Sequence, residues 1–163
     1  MIRFTDVDRD TETLVAEIIK KDFSHLVQAK IKIIFDIKKR KTMGQYVLGK
    51  LQKTNALIKY LTANESSDGT GFDYLLFIDE TVFEAVDQKD KIRLIRHLLQ
   101  YADIDYESDN PFKTRKEEVI TWFDEIEFNI EDPRWYERLQ TIAESIYEAE
   151  DEEKNMIKEE NII

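Results

Sequence analysis

The chain has no cysteine, only 4 glycines and only 2 prolines in 163 residues. Without cysteine there are no disulfides, no thiolate nucleophiles and no zinc site built on sulfur, so any metal must be held by nitrogen and oxygen. The scarcity of glycine and proline argues for regular elements joined by few flexible linkers, and neither an internal repeat nor a low-complexity block interrupts the chain. Long apolar runs are missing as well. No window approaches the roughly 18 apolar residues of a membrane span, and the first stretch, MIRFTDVDRDTET, is charged where a secretory signal would carry an apolar core. A cytoplasmic protein with no membrane partner is therefore expected.

What is present is enough to fold. A hydrophobic fraction of 42% with 36% charged residues describes a solvated globular surface over a core. The length fits one domain, expected over residues 1–150, with 151–163 as an acidic, frayed tail. The net charge of −11 is uneven: residues 29–53 carry eight Lys or Arg against one Asp, whereas residues 103–163 carry twenty acids against seven bases. Bulk attraction to nucleic acid is thereby disfavoured, and a protein partner is expected. Lysines along the basic segment suit strand faces and edges kept from sheet-to-sheet aggregation.

The spacing predicts a first amphipathic helix from about Asp10, with Leu14, Ile18, Phe23 and Leu26 on one side and His25 in its last turn, where it meets the carbonyl dipoles. In AKIKIIFDIKK, residues Ala29, Ile31, Ile33, Phe35 and Ile37 alternate with Lys30, Lys32, Asp36 and Lys38, the pattern of a half-buried strand. After the charged turn KKRKTMG, QYVLGKLQKTN reads as a returning strand. ALIKYLT and the loop ANESSDGTG precede FDYLLFID, a continuous apolar run expected of a central strand. The sheet is expected to end there and everything from Asp87 to be helical.

The helix over 88–103 carries two apolar stripes, Ile92, Ile95, Leu99 and Ala102 beside Leu94, Leu98 and Tyr101, which predicts near-complete burial. A third helix is expected in TRKEEVITWFDEI, with Thr114 and Glu117 in capping-box spacing and Val119, Trp122, Phe123 and Ile126 buried. A last one opens at Asp132 and Pro133 and keeps Trp135, Leu139, Ile142, Ile146 and Ala149 on one face. The fold class is thus α+β: an N-terminal helix, a small sheet of about three strands and three C-terminal helices.

Few residues carry chemistry. Ser24 beside His25 is a sequence neighbour pair rather than a triad, and no glycine loop suited to phosphate occurs. His97 is the one histidine inside a strongly helical pattern. A zinc hydrolase of the H-E-x-x-H type places two imidazoles one turn apart, with a carboxylate beside the first acting on the bound water. Here the corresponding residues are His97, Leu98, Leu99, Gln100 and Tyr101.

The series AKIKIIFDI, YVLGKLQKTNALIKYLT and FDYLLFIDETVFEAVDQKDKIRLIRHLL resembles the phage-encoded putative metallopeptidases, a zincin-like family with a similar "VLGKA" strand, a "D-Y-x-x-x-I" strand and then a helix bearing H-E-L-x-H. The resemblance spans residues 29–125 and implies a minimal zincin-like domain with the 88–103 helix against the sheet. It puts His97 on the first metal-ligand position, Leu98 where the general base would stand and Tyr101 where the second imidazole would stand. The family's further histidine falls in RKEEVITWF, which has none, leaving Glu117 or Glu118 as the nearest donor.

His97, Tyr101 and Glu118 are accordingly read as vestigial ligand positions, with no catalytic residue, no bound metal and no other cofactor expected. A phenol of ordinary pKa near 10 is a costly ligand at neutral pH, and loss of the acid/base carboxylate alone removes about a hundredfold to ten-thousandfold in rate. The function expected is a catalytically inactive relative, a pseudo-enzyme serving as a binding or regulatory module. Two alternatives stand beside it. One is a divergent metal-dependent hydrolase using zinc on His97, Tyr101 and Glu118. The other is an acidic DNA mimic that occupies a DNA-binding protein, motivated by the charge of the last third.

Overall fold

In the computed structural model, which describes residues 2–115, 125 and 128–162, the first helix begins where the sequence supplies a cap. The Asp8 carboxylate accepts the Thr11 backbone N–H at 2.7 Å, and acids lie in the first turn and lysines in the last, as the helix dipole favours. This helix, α1 (Arg9–Asp22), buries Thr11, Val15 and Ile18 on one face. It stops before His25, which sits in a separate 3-10 turn, Ser24–Leu26.

The main sheet is built from β1 (Phe4–Asp6), β2 (Ile31–Asp36), β5 (Gly49–Lys53) and β6 (Tyr74–Asp79) in the order β1-β2-β6-β5. Between β2 and β5 the chain makes a short hairpin, β3 (Lys41–Thr42) with β4 (Gln45–Tyr46). The two central strands, β2 and β6, run parallel over all six residues, and β1 and β5 flank them antiparallel. Parallel central strands have both faces covered or nearly so, and β6 is buried at every residue but Phe77. The expectation of about three strands is thus corrected to four, because a three-residue strand such as β1 is too short to show alternation.

After β5 comes α2 (Ala56–Thr62), which buries no residue. The short α3 (Glu80–Ala85) follows β6 directly, with the Asp79 carboxylate accepting the Val82 N–H at 2.9 Å. Then α4 (Gln88–Leu99), capped by Asp87, buries seven of its residues, among them Leu94, Ile95, His97, Leu98 and Leu99, as its two stripes predicted. It is shorter than the 88–103 expected: Tyr101 N–H bonds the Leu98 carbonyl at 3.3 Å, and β7 (Ala102–Ile104) then pairs antiparallel with β8 (Phe112–Thr114). This hairpin corrects the expectation of helix everywhere beyond Asp87. Of the helix expected from TRKEEVITWFDEI, residues 116–124 and Ile126, among them Glu117, Glu118, Val119, Trp122 and Phe123, lie outside the described residues, while Thr114, expected to cap it, belongs to β8.

The last helix, α5 (Trp135–Ile162), buries Trp135, Leu139, Ala143 and Tyr147 at four-residue intervals. The side-chain amide of Gln140 stands in for a neighbouring strand: it accepts Tyr46 N–H at 2.9 Å and donates to the Tyr46 carbonyl at 2.8 Å. Residues 148–160 remain helical and are exposed throughout. One hydrophobic core joins α1, α3, α4 and α5 to the sheet face formed by Ile31, Ile33, Phe35, Tyr74, Leu76, Ile78 and Leu51. Among the described residues no helix is long and apolar enough to cross a membrane.

Candidate functional site

A cleft of about 650 Å³ opens between β5, α4 and the start of α5, lined among others by Gly49, His97, Leu98, Tyr101, Arg115 and Tyr136. Its position follows from the fold. β5 is the outer strand of the sheet on this side, α4 crosses behind it, and α5 closes the far wall with Trp135 and Tyr136.

His97 is 7% exposed. Its Nδ1 lies 3.0 Å from Glu125 Oε2 and 3.0 Å from Oε1, and Glu125 is itself only 1% exposed. A ring N–H donated to a buried carboxylate fixes both the tautomer and the orientation of an imidazole. Around the ring stand three aromatics: Tyr101 edge-on with centroids 5.6 Å apart, Trp135 at 5.9 Å and Tyr136 at 5.5 Å. The histidine is thus held by one hydrogen-bonded acid and an aromatic cage.

Leu98, 3% exposed, is wedged against the edge strand. A Cβ placed on Gly49 would come within 2.5 Å of Leu98 Cδ1 and 2.7 Å of the Phe77 carbonyl oxygen. Leucine therefore fills the wall of the cleft here, and glycine at position 49 is what lets strand and helix approach so closely. Arg115, the residue after β8, donates from Nε to the Gln100 carbonyl at 2.7 Å, tying the end of the hairpin to the end of α4.

Of the residues singled out in the sequence, the structure brings His97, Leu98 and Tyr101 together in the cleft, and Glu118 lies outside the described residues. Glu125 was missed. In the sequence it is one of twenty acids in the last third, and its only mark is its place three residues after Trp122 and one before Ile126, within an apolar stretch.

A catalytic zinc needs about three protein ligands around an open position. Among the described residues the donors here are one imidazole and one carboxylate already bonded to each other, and no three of His, Cys, Asp or Glu converge anywhere. The further donor that the resemblance offers, Glu117 or Glu118, lies outside the described residues.

A second group of buried acids stands at the end of the sheet. Asp36 and Asp79 are cross-strand neighbours at the ends of β2 and β6, both buried. For Asp36 burial pushes the carboxyl up, but the Arg3 guanidinium, bonded at 3.1 and 3.0 Å, together with the Lys38 N–H and Arg40, outweighs it and holds the group below the ordinary range. For Asp79 burial prevails and raises the carboxyl, against the hydrogen bond from the Tyr147 hydroxyl at 2.5 Å and with Asp36 and Glu150 adding to the rise. The Tyr147 hydroxyl is in turn pushed up by burial and by donating to Asp79.

A family described as putative phage metallopeptidase matches residues 2–147 of the chain. No curated protein and no solved structure matches it.

Proposed function

Since the chain belongs to the putative phage metallopeptidase family, we propose that it is a member without hydrolytic activity whose cleft works as a binding or regulatory module for a protein partner. The observation that carries this reading is Leu98, a buried hydrocarbon packed against Gly49, at the position that the resemblance gives to the carboxylate that would activate water. An alkyl side chain can neither take nor give a proton, and removal of that group costs about a hundredfold to ten-thousandfold in rate. Tyr101 at the second ligand position supports the same reading, its ring packed edge-on against His97.

A cleft beside an outer strand suits an extended peptide. The backbone of β5 can add a strand by main-chain hydrogen bonding, and Leu98, Tyr101 and Tyr136 offer apolar and aromatic surface for side chains. Binding without cleavage is the expected outcome. Incubation with an unbiased peptide mixture, with and without added zinc, should leave the peptides intact. Cleavage that disappears in His97→Ala would contradict the proposal.

A second reading is favoured by one specific observation. A carboxylate on Nδ1 is the usual companion of a metal-bound histidine, and Glu125 holds His97 in that way. In that reading the protein is a divergent zinc hydrolase using His97, Tyr101 and Glu118 with another base. Its signature is a melting temperature that falls when a chelator is added to metal-loaded protein.

A further inference from the structure

On the side of the sheet away from the cleft, one stretch of strand edge is left open by its own chain. β1 pairs with β2 only from Asp36 down to Ile34, where Asp6 stands opposite, and β2 extends three residues further back, to Ile31. Backbone groups of successive strand residues point to opposite sides. The Lys30 carbonyl accepts the N–H groups of Asp73 and Tyr74 at 2.7 and 3.2 Å, so even-numbered residues here turn toward β6. On the other side Ile37 N–H donates to the Arg3 carbonyl at 2.9 Å, so odd-numbered residues turn toward β1. Ile31 therefore presents its N–H and C=O, and Ile33 its N–H, where β1 has already ended. Among the described residues no hydrogen bond reaches these three groups.

Beside this edge runs a groove of about 630 Å³. One wall is a stripe of α1, Glu12, Val15, Ala16, Ile19 and Lys20, which recur at helical spacing; the other is β2 at Ile31 and Ile33. Its floor is apolar. Val15 and Leu26 are each 1% exposed, and Ile19, Ile31 and Ile33 are partly buried against the core. Ala16 contributes only a methyl group to the wall, which keeps the gap between helix and strand open. Since α1 starts where β1 ends and leads back to the start of β2, it runs antiparallel to β2. Glu12 thus stands toward the Ile33 end of the groove and Lys20 toward the Ile31 end, both exposed.

We propose that this groove takes an extended peptide from a partner protein, which adds to the sheet as a short strand antiparallel to β2 along Ile33 to Ala29. Unpaired strand groups inside a groove select an extended backbone, because only that conformation offers N–H and C=O at matching spacing. The register fixes the side chains. The peptide residue opposite Ile31 exchanges two hydrogen bonds with it and places its side chain on the same face, among Val15, Ile19 and Leu26. Residues two before and two after share that face, so apolar residues at alternate positions are required. Those between turn toward Lys32, already paired with Asp6 and Glu65 at 3.3 and 3.5 Å, and Lys30, paired with Asp68 at 2.9 Å, where uncharged polar side chains suit. Charge sets the direction: a base before the apolar residues meets Glu12, and an acid after them meets Lys20. Lysines on the edge strand oppose sheet-to-sheet stacking, and the wall of α1 leaves room for a single strand. This inference is independent of whether the cleft hydrolyses anything.

The test uses the full chain and a heptapeptide, Lys-Val-Thr-Val-Thr-Val-Glu, labelled with a fluorophore at its N-terminus and amidated at its C-terminus. Saturable binding is expected in fluorescence anisotropy. N-methylation of the central valine removes the amide that faces Ile31 and should weaken binding about tenfold or more, whereas N-methylation of a neighbouring threonine, whose amide points away, should cost less than about threefold. Exchanging the lysine and glutamate of the peptide should weaken it about threefold, and the double variant Glu12→Lys with Lys20→Glu should reverse that preference. Ala16→Arg changes an exposed helical position, so circular dichroism should be unchanged while binding is lost. Hydrogen exchange at the Ile31 amide should slow about tenfold or more when the peptide is bound. Absence of saturable binding up to about 1 mM peptide overturns the proposal. So does binding that survives both central N-methylation and Ala16→Arg, which would place the contact elsewhere.

Discussion

Replacing His97 by alanine removes the N–H that Glu125 accepts at 3.0 Å and opens a hole among three aromatic rings. A buried carboxylate deprived of a charge-assisted partner costs more than an ordinary hydrogen bond. His97→Ala is expected to lose about 2–4 kcal/mol in urea unfolding, whether or not the protein is an enzyme. At Gly49 the argument is steric. A methyl there meets the Leu98 side chain and, less yieldingly, the Phe77 backbone carbonyl, so Gly49→Ala should cost about 1–3 kcal/mol, and only part of that loss should return when Leu98→Ala is added. The pH argument belongs to Asp79, whose carboxyl burial raises above its ordinary value. A group with a raised folded-state pKa contributes stability fully below its unfolded value and loses that contribution as pH climbs through the folded one. Wild type should therefore fall in stability over that acidic window, and Asp79→Asn should show a flatter pH dependence in thermal unfolding followed from pH 4 to neutrality. At this scale the burial of Leu98 was readable, because a helical register needs only spacing, whereas Tyr101 falls past the end of α4. It was silent on Glu125, because which of many acids is buried depends on tertiary packing.

Among the elements, those with strong periodicity were readable and those defined by a partner were not. The continuous run of β6, the alternation of β2 and the double stripe of α4 each state their own burial. β1 and the β7–β8 hairpin exist through pairing with distant residues, Phe4 with Asp36 and Ala102 with Thr114, and three-residue strands carry no period. Likewise, α3 is nucleated by the Asp79 side chain and by burial of Val82 and Phe83 rather than by a repeating stripe. Gln140 is the clearest case of an element held by one side chain. Its amide satisfies both the N–H and the carbonyl of buried Tyr46. Gln140→Ala leaves two buried backbone groups unpaired, for an expected loss of about 2–4 kcal/mol at about 1–3 kcal/mol per group less whatever water recovers. Hydrogen exchange at Tyr46 should quicken in that variant, while exchange within β6 should change only with global stability.

For the molecule as a whole, the placement of charge separates two regions that the composition alone would average. The net −11 conceals a basic sheet margin and an acidic helical arm. The fold class could be read from the mixture of strand and helix patterns, whereas the side of the sheet that carries the core could not, because it depends on which side of β2 and β6 the helices choose. The two readings of the cleft also separate at this scale. A resident metal at a hundred times its dissociation constant would contribute about 2.7 kcal/mol, enough to move a melting temperature by several degrees in a chain of this size. Chelator added to the proposed non-hydrolytic member should leave the melting curve where it was.

The most direct measurement is the metal content of the full chain, purified without a histidine tag in zinc-supplemented medium and quantified by atomic spectrometry. The reading built on Leu98, Tyr101 and the His97–Glu125 pair expects zinc far below one equivalent per chain, unchanged in His97→Ala. One equivalent of zinc that vanishes in His97→Ala would contradict it.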